Sequence, residues 1–244
     1  MELGVGSKAA FQRKPEDRSR TELLQGGTGD VEWPSIAKKA SLGSQLTVLG
    51  GGDKLDLFTV QGVFSEAECH RFVEAAETRR FQHQGSRGPK FGEAYRDNGR
   101  LAVEDADLAQ SIWDSGLGSL LVKLLQIEGK WPSKFNPNVR IYKYEKGQKF
   151  GKHVDESVRV DRGLYTGYTL LVYLSGGRTT APEKEALKGG ETVFYGRRGV
   201  QVAKVAPETG LALLHVHGDR CLLHEAREVK QGVKYVLRSD VVFE

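Results

Sequence analysis

The stretch "NVRIYKYEKGQKFGKHVDES", residues 138–157, marks where the chain turns from helical to β character. Its first seven residues read as a strand, and its last seven place His153 and Asp155 two positions apart. On a strand, residues i and i+2 point to the same face, so both side chains can reach one point in space. Alone, such a pair is more often solvated strand polarity than a metal site. A third partner has to decide.

Downstream, the strand candidates are "YTLLVYL" (168–174), "GGETVFYG" (189–196), "VQVAKVAP" (200–207), "GLALLHVHG" (210–218) and "GVKYVLRSDVVF" (232–243). Short strands at this spacing, separated by Gly, predict a barrel or jelly roll, not alternating βαβ units. Upstream, "KLDLFTVQGVF" (54–64) alternates like a strand. "SEAECHRFVEAAETR" (65–79) opens a helix on a Ser65/Glu68 capping box, with Phe72, Val73 and Ala76 as its apolar stripe.

"FQHQGSRGPKFGEAYRDNGRL" (81–101) has four Gly and no period, and is expected to be a loop. A second helix is predicted over 104–126, burying Leu108, Ile112, Leu117, Leu120 and Leu124, with Gly116 and Gly118 breaking it in two. Residues 1–52 are expected to form a flexible arm, of which only 31–49 could order by packing Trp33 and Ile36 on the domain. The domain proper is then 53–244. The layout expected is α+β, helices first and then a β core.

The bulk of the 244-residue chain bounds the partners. Thirty-six Lys and Arg against 32 Asp and Glu are too evenly balanced to argue for nucleic acid. "RGPK" and the Arg197/Arg198 pair read as solvated charge. Two Cys, Cys69 and Cys221, form no CxxC pair, so a reducing compartment is expected and both thiols read as buried packing. No run reaches the ~18 apolar residues of a membrane span, and the N-terminus lacks the apolar core of a secretory signal. The expectation is a cytoplasmic or nuclear protein with no membrane partner.

Six His limit the search for the third partner. His70 falls in the first helix and His83 in the expected loop, which makes both poor candidates. His215 and His217 alternate on a strand and read as structural, with the pocket mouth as the alternative. His224 follows "CLL". Two His and one carboxylate on one face of a first-row metal leave positions open, the pattern of non-haem Fe(II) oxygenases. A 2-oxo acid with a distal carboxylate would also need a fixed cation. Lys234, ten residues beyond His224, could supply it, with Arg238 in reserve.

These segments resemble the prolyl 4-hydroxylase-like 2-oxoglutarate/Fe(II) dioxygenases. "YEKGQKFGKHVDES" (144–157) is similar to their Tyr-x-x-Gly-Gln-x-aromatic-x-x-His-x-Asp signature, and "GGETVFYG" to their Gly-Gly-x-Thr-x-Phe segment. "HEAREVKQGVKYVLRSDVVF" (224–243) resembles the closing His-Glu…Gly-x-Lys strand pair, and "VFSEAECHRFVEAAE" (63–77) the helix that opens such domains. The likeness runs over roughly residues 55–244.

The resemblance implies the fold class α+β, a double-stranded β-helix (jelly roll) core braced by N-terminal helices, in which His153, Asp155 and His224 are iron ligands and catalytic residues. It implies that Lys234 holds the distal carboxylate of 2-oxoglutarate and that Tyr144 is a pocket tyrosine. It further implies O2 as co-substrate, ascorbate as reductant, and hydroxylation of a C–H bond with release of succinate and CO2. A peptidyl residue such as proline is the substrate expected, on a peptide or protein partner. The alternatives are the same chemistry on a nucleic acid or small molecule, a jelly-roll binding module without turnover, and a cupin-type metalloenzyme.

One departure stands out. Phe150 occupies a position where many members carry Tyr, and Tyr144, Thr169 or Arg238 would have to replace the lost hydroxyl. Glu225 reads equally as a partner of His224 or as surface. Arg96, Asn98 and Arg100 could face the substrate.

Overall fold

The computed structural model describes residues 32–50, 55–177 and 186–244, so the expected arm lies outside the described residues over 1–31 and 51–52. After a short segment, β1 (Leu46–Val48) pairs with β2 (Leu57–Val60). Helix α1 (Glu66–Glu77) follows, its capping box closed in both directions between Ser65 and Glu68. Then come β3 (Gln82–Gly85) and β4 (Arg96–Glu104). Helices α2 (Ala106–Ile112) and α3 (Gly118–Leu124) are joined by one π-turn, Trp113–Leu117.

The β half begins with β5 (Pro132–Phe135), β6 (Asn138–Tyr144), β7 (Lys149–His153), β8 (Arg159–Asp161) and β9 (Leu164–Tyr173). It continues with β10 (Lys188–Gly189), β11 (Thr192–Tyr195), β12 (Gln201–Val205) and β13 (Ala212–Val216). It ends with β14 (Leu223–Ala226), β15 (Val229–Gln231) and β16 (Lys234–Phe243).

Two four-stranded halves form the body. One runs β13-β9-β16-β6 and the other β7-β14-β11-β12, with β4 joining them by pairing to both β6 and β7. Within these halves neighbouring strands are antiparallel, and the chain crosses from one half to the other as it proceeds. That is a jelly roll, one of the two architectures the strand spacing left open and the one the resemblance implied.

β9 shows how one sequence serves two layers. Leu170 and Val172 face the helices and join Phe58, Phe72, Ile112 and Leu121 in the larger core. Tyr173 faces the other way, into a second core with Leu57, Phe194, Leu213 and Val236. A strand buried on both faces reads as a near-continuous apolar run, as "YTLLVYL" does. Burying each such aliphatic or aromatic side chain contributes ~1.5–3 kcal/mol.

Two expectations are corrected. Residues 81–101 are not a loop: Gln82–Gly85 and Arg96–Glu104 are antiparallel partners, Gln84 opposite Asn98. Their polarity hid them, because β3 is largely exposed and β4 carries charges on a face that lines the site instead of a core. In the second helical region the buried ridge runs Leu117, Leu121, Leu125, while Leu124 is exposed and Leu120 half-buried. The π-turn, with Gly116 at φ 107°, resets the helical phase that a straight helix would have kept.

The described part of the N-terminal segment docks on these helices. Trp33 packs 5.9 Å from Phe72, the Arg79 guanidinium lies 4.1 Å over Trp33, and Lys39 N–H donates to the Ser115 carbonyl at 2.7 Å. No helix among the described residues is long and apolar enough to cross a membrane.

Candidate active site

β7 and β14 are antiparallel neighbours in which His153 and His224 are direct register partners. Their rings lie 4.2 Å apart. Asp155 follows two residues after His153 and bends in beneath both. Its carboxylate is 3.8 Å from His153 Nε2 and 4.0 Å from His224 Nε2. The three offer one ligand atom each, all within 4.8 Å of one another.

The protonation states follow from the partners. His153 Nδ1 lies 2.8 Å from the Gly151 carbonyl, and His224 Nδ1 lies 2.9 Å from the Leu222 carbonyl. A carbonyl only accepts, so both Nδ1 atoms carry the proton and both Nε2 lone pairs face Asp155. Burial is the main cause that lowers both pKa values, that of His153 to about 4. Asp155 is the opposite case. Burial pushes its carboxyl up, but Arg238 and the three His around it outweigh that and hold it well below the usual range.

Two neutral imidazoles and one ionised carboxylate, with no fourth protein ligand among them, form a donor set that fits Fe(II).

The second oxygen of Asp155 is anchored. It accepts from Thr169 Oγ1 at 2.6 Å and pairs with Arg238 at 3.1 Å. Thr169 Oγ1 in turn lies 2.8 Å from His217 Nε2, and His217 Nδ1 lies 3.2 Å from Thr166 Oγ1. With Thr169 donating to Asp155, His217 Nε2–H donates to Thr169 and Nδ1 accepts from Thr166. His217 therefore orients the carboxylate without touching it.

His215 stands in the wall of the site. Its ring is 4.5 Å from His224, and its Nε2 is 3.6 Å from Asp155 and buried without a hydrogen-bond partner. Cys221 is no inert packing residue either. Its sulfur accepts the Asp155 N–H at 3.3 Å and forms, with His215 and His224, a second ligand group that shares His224. The signal for His215 was available: it shares the inner face of β13 with Leu213, in alternation with Leu214 and Val216.

A cleft of about 450 Å³, measured out to its open mouth, runs from this cluster to Lys234. Lys234 opens β16 and is 2% exposed. Its Nζ donates to the Gly190 carbonyl at 2.6 Å and lies 5.3 Å from the Tyr144 ring and 5.4 Å from the Tyr173 ring. Gly190 has φ 72°, and a Cβ there would stand 3.1 Å from Lys234 Cδ, which explains a Gly at that position. No carboxylate among the described residues lies within ion-pair distance of Lys234. Burial therefore drives its pKa down to about 7, opposed only by the more distant Glu191.

The remaining expected positions separate clearly. Tyr144 is buried beside Lys234, with burial raising its phenol pKa. Arg238 pairs with Asp155 and Asp240, not with the Lys234 end. Thr169 is committed to Asp155, so neither it nor Arg238 is free to replace a missing hydroxyl. Phe150 stacks on the His153 ring at 3.8 Å and carries the Arg96 guanidinium 4.1 Å over its ring. Both contacts cannot share one face, so the ring is sandwiched. Glu225 bonds Tyr195 on the outer side of β14. His70 and His83 are exposed.

Against known proteins, the profile of the 2OG-Fe(II) oxygenase superfamily matches residues 139–239. Prolyl 4-hydroxylase 2 of Arabidopsis thaliana is 26% identical, over 87% of this chain and 74% of its own length. The chain spans 53% and 64% of the length of two other curated hydroxylases it matches.

Two solved structures share the fold. The viral collagen prolyl hydroxylase of Paramecium Bursaria Chlorella virus-1, a 2OG complex, superposes with a TM-score of 0.51 at 20% identity, covering 81% of this chain and 99% of that one. A Trichoplax adhaerens prolyl hydroxylase, in complex with a hypoxia inducible factor peptide fragment, superposes with a TM-score of 0.53 at 14% identity, covering 76% and 83%. Ascorbate dependence is typical of the prolyl 4-hydroxylases. In sequence over residues 139–239 and in fold, the chain resembles the prolyl hydroxylase-like 2OG-Fe(II) oxygenases, dioxygenases whose cofactors are Fe(II), 2-oxoglutarate and O2.

Proposed function

We propose that the enzyme hydroxylates a prolyl residue of a peptide or protein, with release of succinate and CO2. In this reading His153, Asp155 and His224 hold Fe(II), and Lys234 holds the distal carboxylate of 2-oxoglutarate. The observation that carries it is the pairing of the two ends of one cleft. At one end stand two bare Nε2 atoms and a carboxylate, and at the other a buried, uncompensated ammonium. A buried charge without a counter-ion is costly, and a bound dianion would remove that cost. The names of the curated relatives support proline as the target, and the Trichoplax complex supports a peptide.

Bound Fe(II) with 2-oxoglutarate supplies the oxidative decarboxylation that delivers one oxygen atom of O2 to the substrate C–H and the other to succinate. The chain does the positioning. The carbonyls of Gly151 and Leu222 fix both imidazoles in the donor tautomer. Thr169 and Arg238 occupy one Asp155 oxygen and leave the other free. The Lys234 ammonium orients the co-substrate, and the apolar walls of Leu171 and Val236 exclude water from the cleft.

The test is succinate formation by purified protein given Fe(II), 2-oxoglutarate, O2 and ascorbate, with proline-containing peptides screened for gain of one oxygen by mass. Turnover should fall by at least a hundredfold in Asp155→Ala. Full activity in that variant, or succinate without an oxidised peptide in any proline context, would sink the corresponding half of the reading.

A further inference from the structure

Three neighbouring strands put more positive charge on the cleft face than the proposed co-substrate needs. In register, Arg100 of β4 lies opposite Tyr142 of β6, and Arg140 of β6 lies opposite Arg238 of β16. Tyr142 and Arg238 line the cleft, so alternation puts Arg96, Arg100 and Arg140 on the same side.

The counter-charges are few. Arg238 pairs with Asp155 and Asp240, and Arg140 takes Asp240 at 3.3 Å. Arg96 and Arg100 have no carboxylate within ion-pair distance among the described residues. Arg96 rests over Phe150, and the Arg100 Nε is buried with no hydrogen-bond partner. Beside it on the same face, Asn98 is 0% exposed and its Oδ1 is also unpartnered.

Like charges in a half-buried groove repel strongly, because screening by water is weakened there. Burial and the neighbouring guanidiniums both lower the pKa of Arg100. Burial raises that of the Tyr142 phenol, yet the four guanidiniums outweigh it and leave the hydroxyl more acidic than usual. Loading the site does not relieve this excess. A doubly charged Fe(II) and a doubly charged 2-oxoglutarate cancel one another, and among the described residues the five cations, Lys234 included, still have only Asp155 and Asp240 within ion-pair distance.

We propose that Arg96 and Arg100, backed by Arg140, form an anion subsite that receives a carboxylate of the substrate. Resting on the peptidyl reading above, this makes the substrate an acidic peptide, with Asp or Glu close to the hydroxylated residue. Arg96 stands one aromatic ring away from the ligand imidazole of His153, and an extended chain advances ~3.5 Å per residue. The acidic residue therefore falls within two or three positions of the target. A guanidinium pair receives a carboxylate in two-point fashion, which the unsatisfied Nε of Arg100 is free to do.

The experiment compares proline peptides that differ only in Asp, Asn or Lys at positions flanking the proline. Oxygen gain is measured, and each enzyme variant is scored by its own Asp-to-Asn ratio of kcat/KM. The natural enzyme should prefer Asp by at least tenfold, and Arg96→Gln and Arg100→Gln should bring the ratio near one. Arg100→Lys should keep part of the preference, and Arg96→Glu should shift it toward Lys. Circular dichroism establishes that each variant is folded.

A second arm needs no turnover. Blocked aspartate, capped by acetyl and methylamide, and its asparagine counterpart are titrated anaerobically into the Fe(II)- and 2-oxoglutarate-loaded enzyme. The aspartate should bind at least tenfold tighter, and that difference should vanish in Arg100→Gln. If no peptide is oxidised but this difference is present, the peptidyl reading fails and the anion subsite stands. Peptides oxidised without regard to charge, or aspartate binding no better than asparagine, would overturn the subsite.

Discussion

Lys234 couples the co-substrate to pH. With its pKa lowered to about 7, the free enzyme holds it neutral above that value, and a bound dianion requires it charged. Binding of 2-oxoglutarate should therefore take up a proton. Its affinity should fall as pH rises above about 7, by up to about tenfold per unit. Calorimetry in buffers of different ionisation enthalpy checks this, and Lys234→Arg, which stays protonated, should flatten the profile.

Cys221 sets a second residue-level expectation. With His215 and His224 it forms a thiol-bearing group that overlaps the proposed iron ligands. Burial raises the thiol pKa to about 11, so it is protonated until a thiophilic metal displaces the proton. Zn(II) should compete with Fe(II), and Cys221→Ser should weaken that competition by at least tenfold without weakening Fe(II). Metal content by mass spectrometry reads both. His153, His224 and Lys234 were legible in the sequence because each lies on a strand with a fixed face, and Asp155 was legible by its place two positions past His153, just beyond β7. The part played by Cys221 was not, since it depends on a turn that brings sulfur to the Asp155 backbone.

Among the elements, α1 is held by one buried carboxylate that accepts from four donor groups on three residues. Glu68 closes the capping box with Ser65, accepts from Ala37 N–H at 2.6 Å and pairs with Lys39 at 2.9 Å. Burial pushes its carboxyl up, but those bonds outweigh it and hold the pKa at about 2. A carboxylate lowered in the folded state stabilises fully above its unfolded value and loses that contribution as pH falls through its folded one. Stability should thus drop between about pH 4.5 and 2, and Glu68→Gln should remove about 2–3 kcal/mol at neutral pH and flatten this limb. Urea unfolding across pH measures it.

Gly116 is the matching test in the π-turn. A Cβ there would sit 2.5 Å from the Lys39 carbonyl, at φ 107°. Gly116→Ala should cost upwards of about 2 kcal/mol and loosen the docked segment, read as protease sensitivity near residue 40. Helix boundaries were legible from Ser65 and Gly116, but the phase beyond the π-turn was not, because one inserted residue rotates every later side chain. β3 and β4 were illegible for another reason. β3 is largely exposed and polar, and β4 carries Arg96 and Arg100 where a core strand would carry apolar residues, so apolar alternation finds neither.

Across the whole molecule, the proposed iron ligands sit on the β7–β14 half and Lys234 on the β16 half. A bound 2-oxoglutarate would tie the two halves through the metal. Mn(II) alone should raise the melting temperature modestly, and 2-oxoglutarate should add to it only with metal present. Ligand at a hundred times its Kd adds about 2.7 kcal/mol, or roughly 5–10 °C at this size. A differential scan with metal, co-substrate, both and chelator separates these cases. At this scale the sequence was informative, since the short strands and Gly turns narrowed the fold to a barrel or a jelly roll, and the motif order singled out the second.

The direct opposition of His153 and His224 has a consequence for how the barrel closes. In a ladder, sliding one strand by a single step sends every side chain to the opposite surface. A misaligned closure would aim one imidazole at solvent and leave the ion without its third donor. A metal held by these residues would therefore bind only chains in which β7 and β14 have paired in this register.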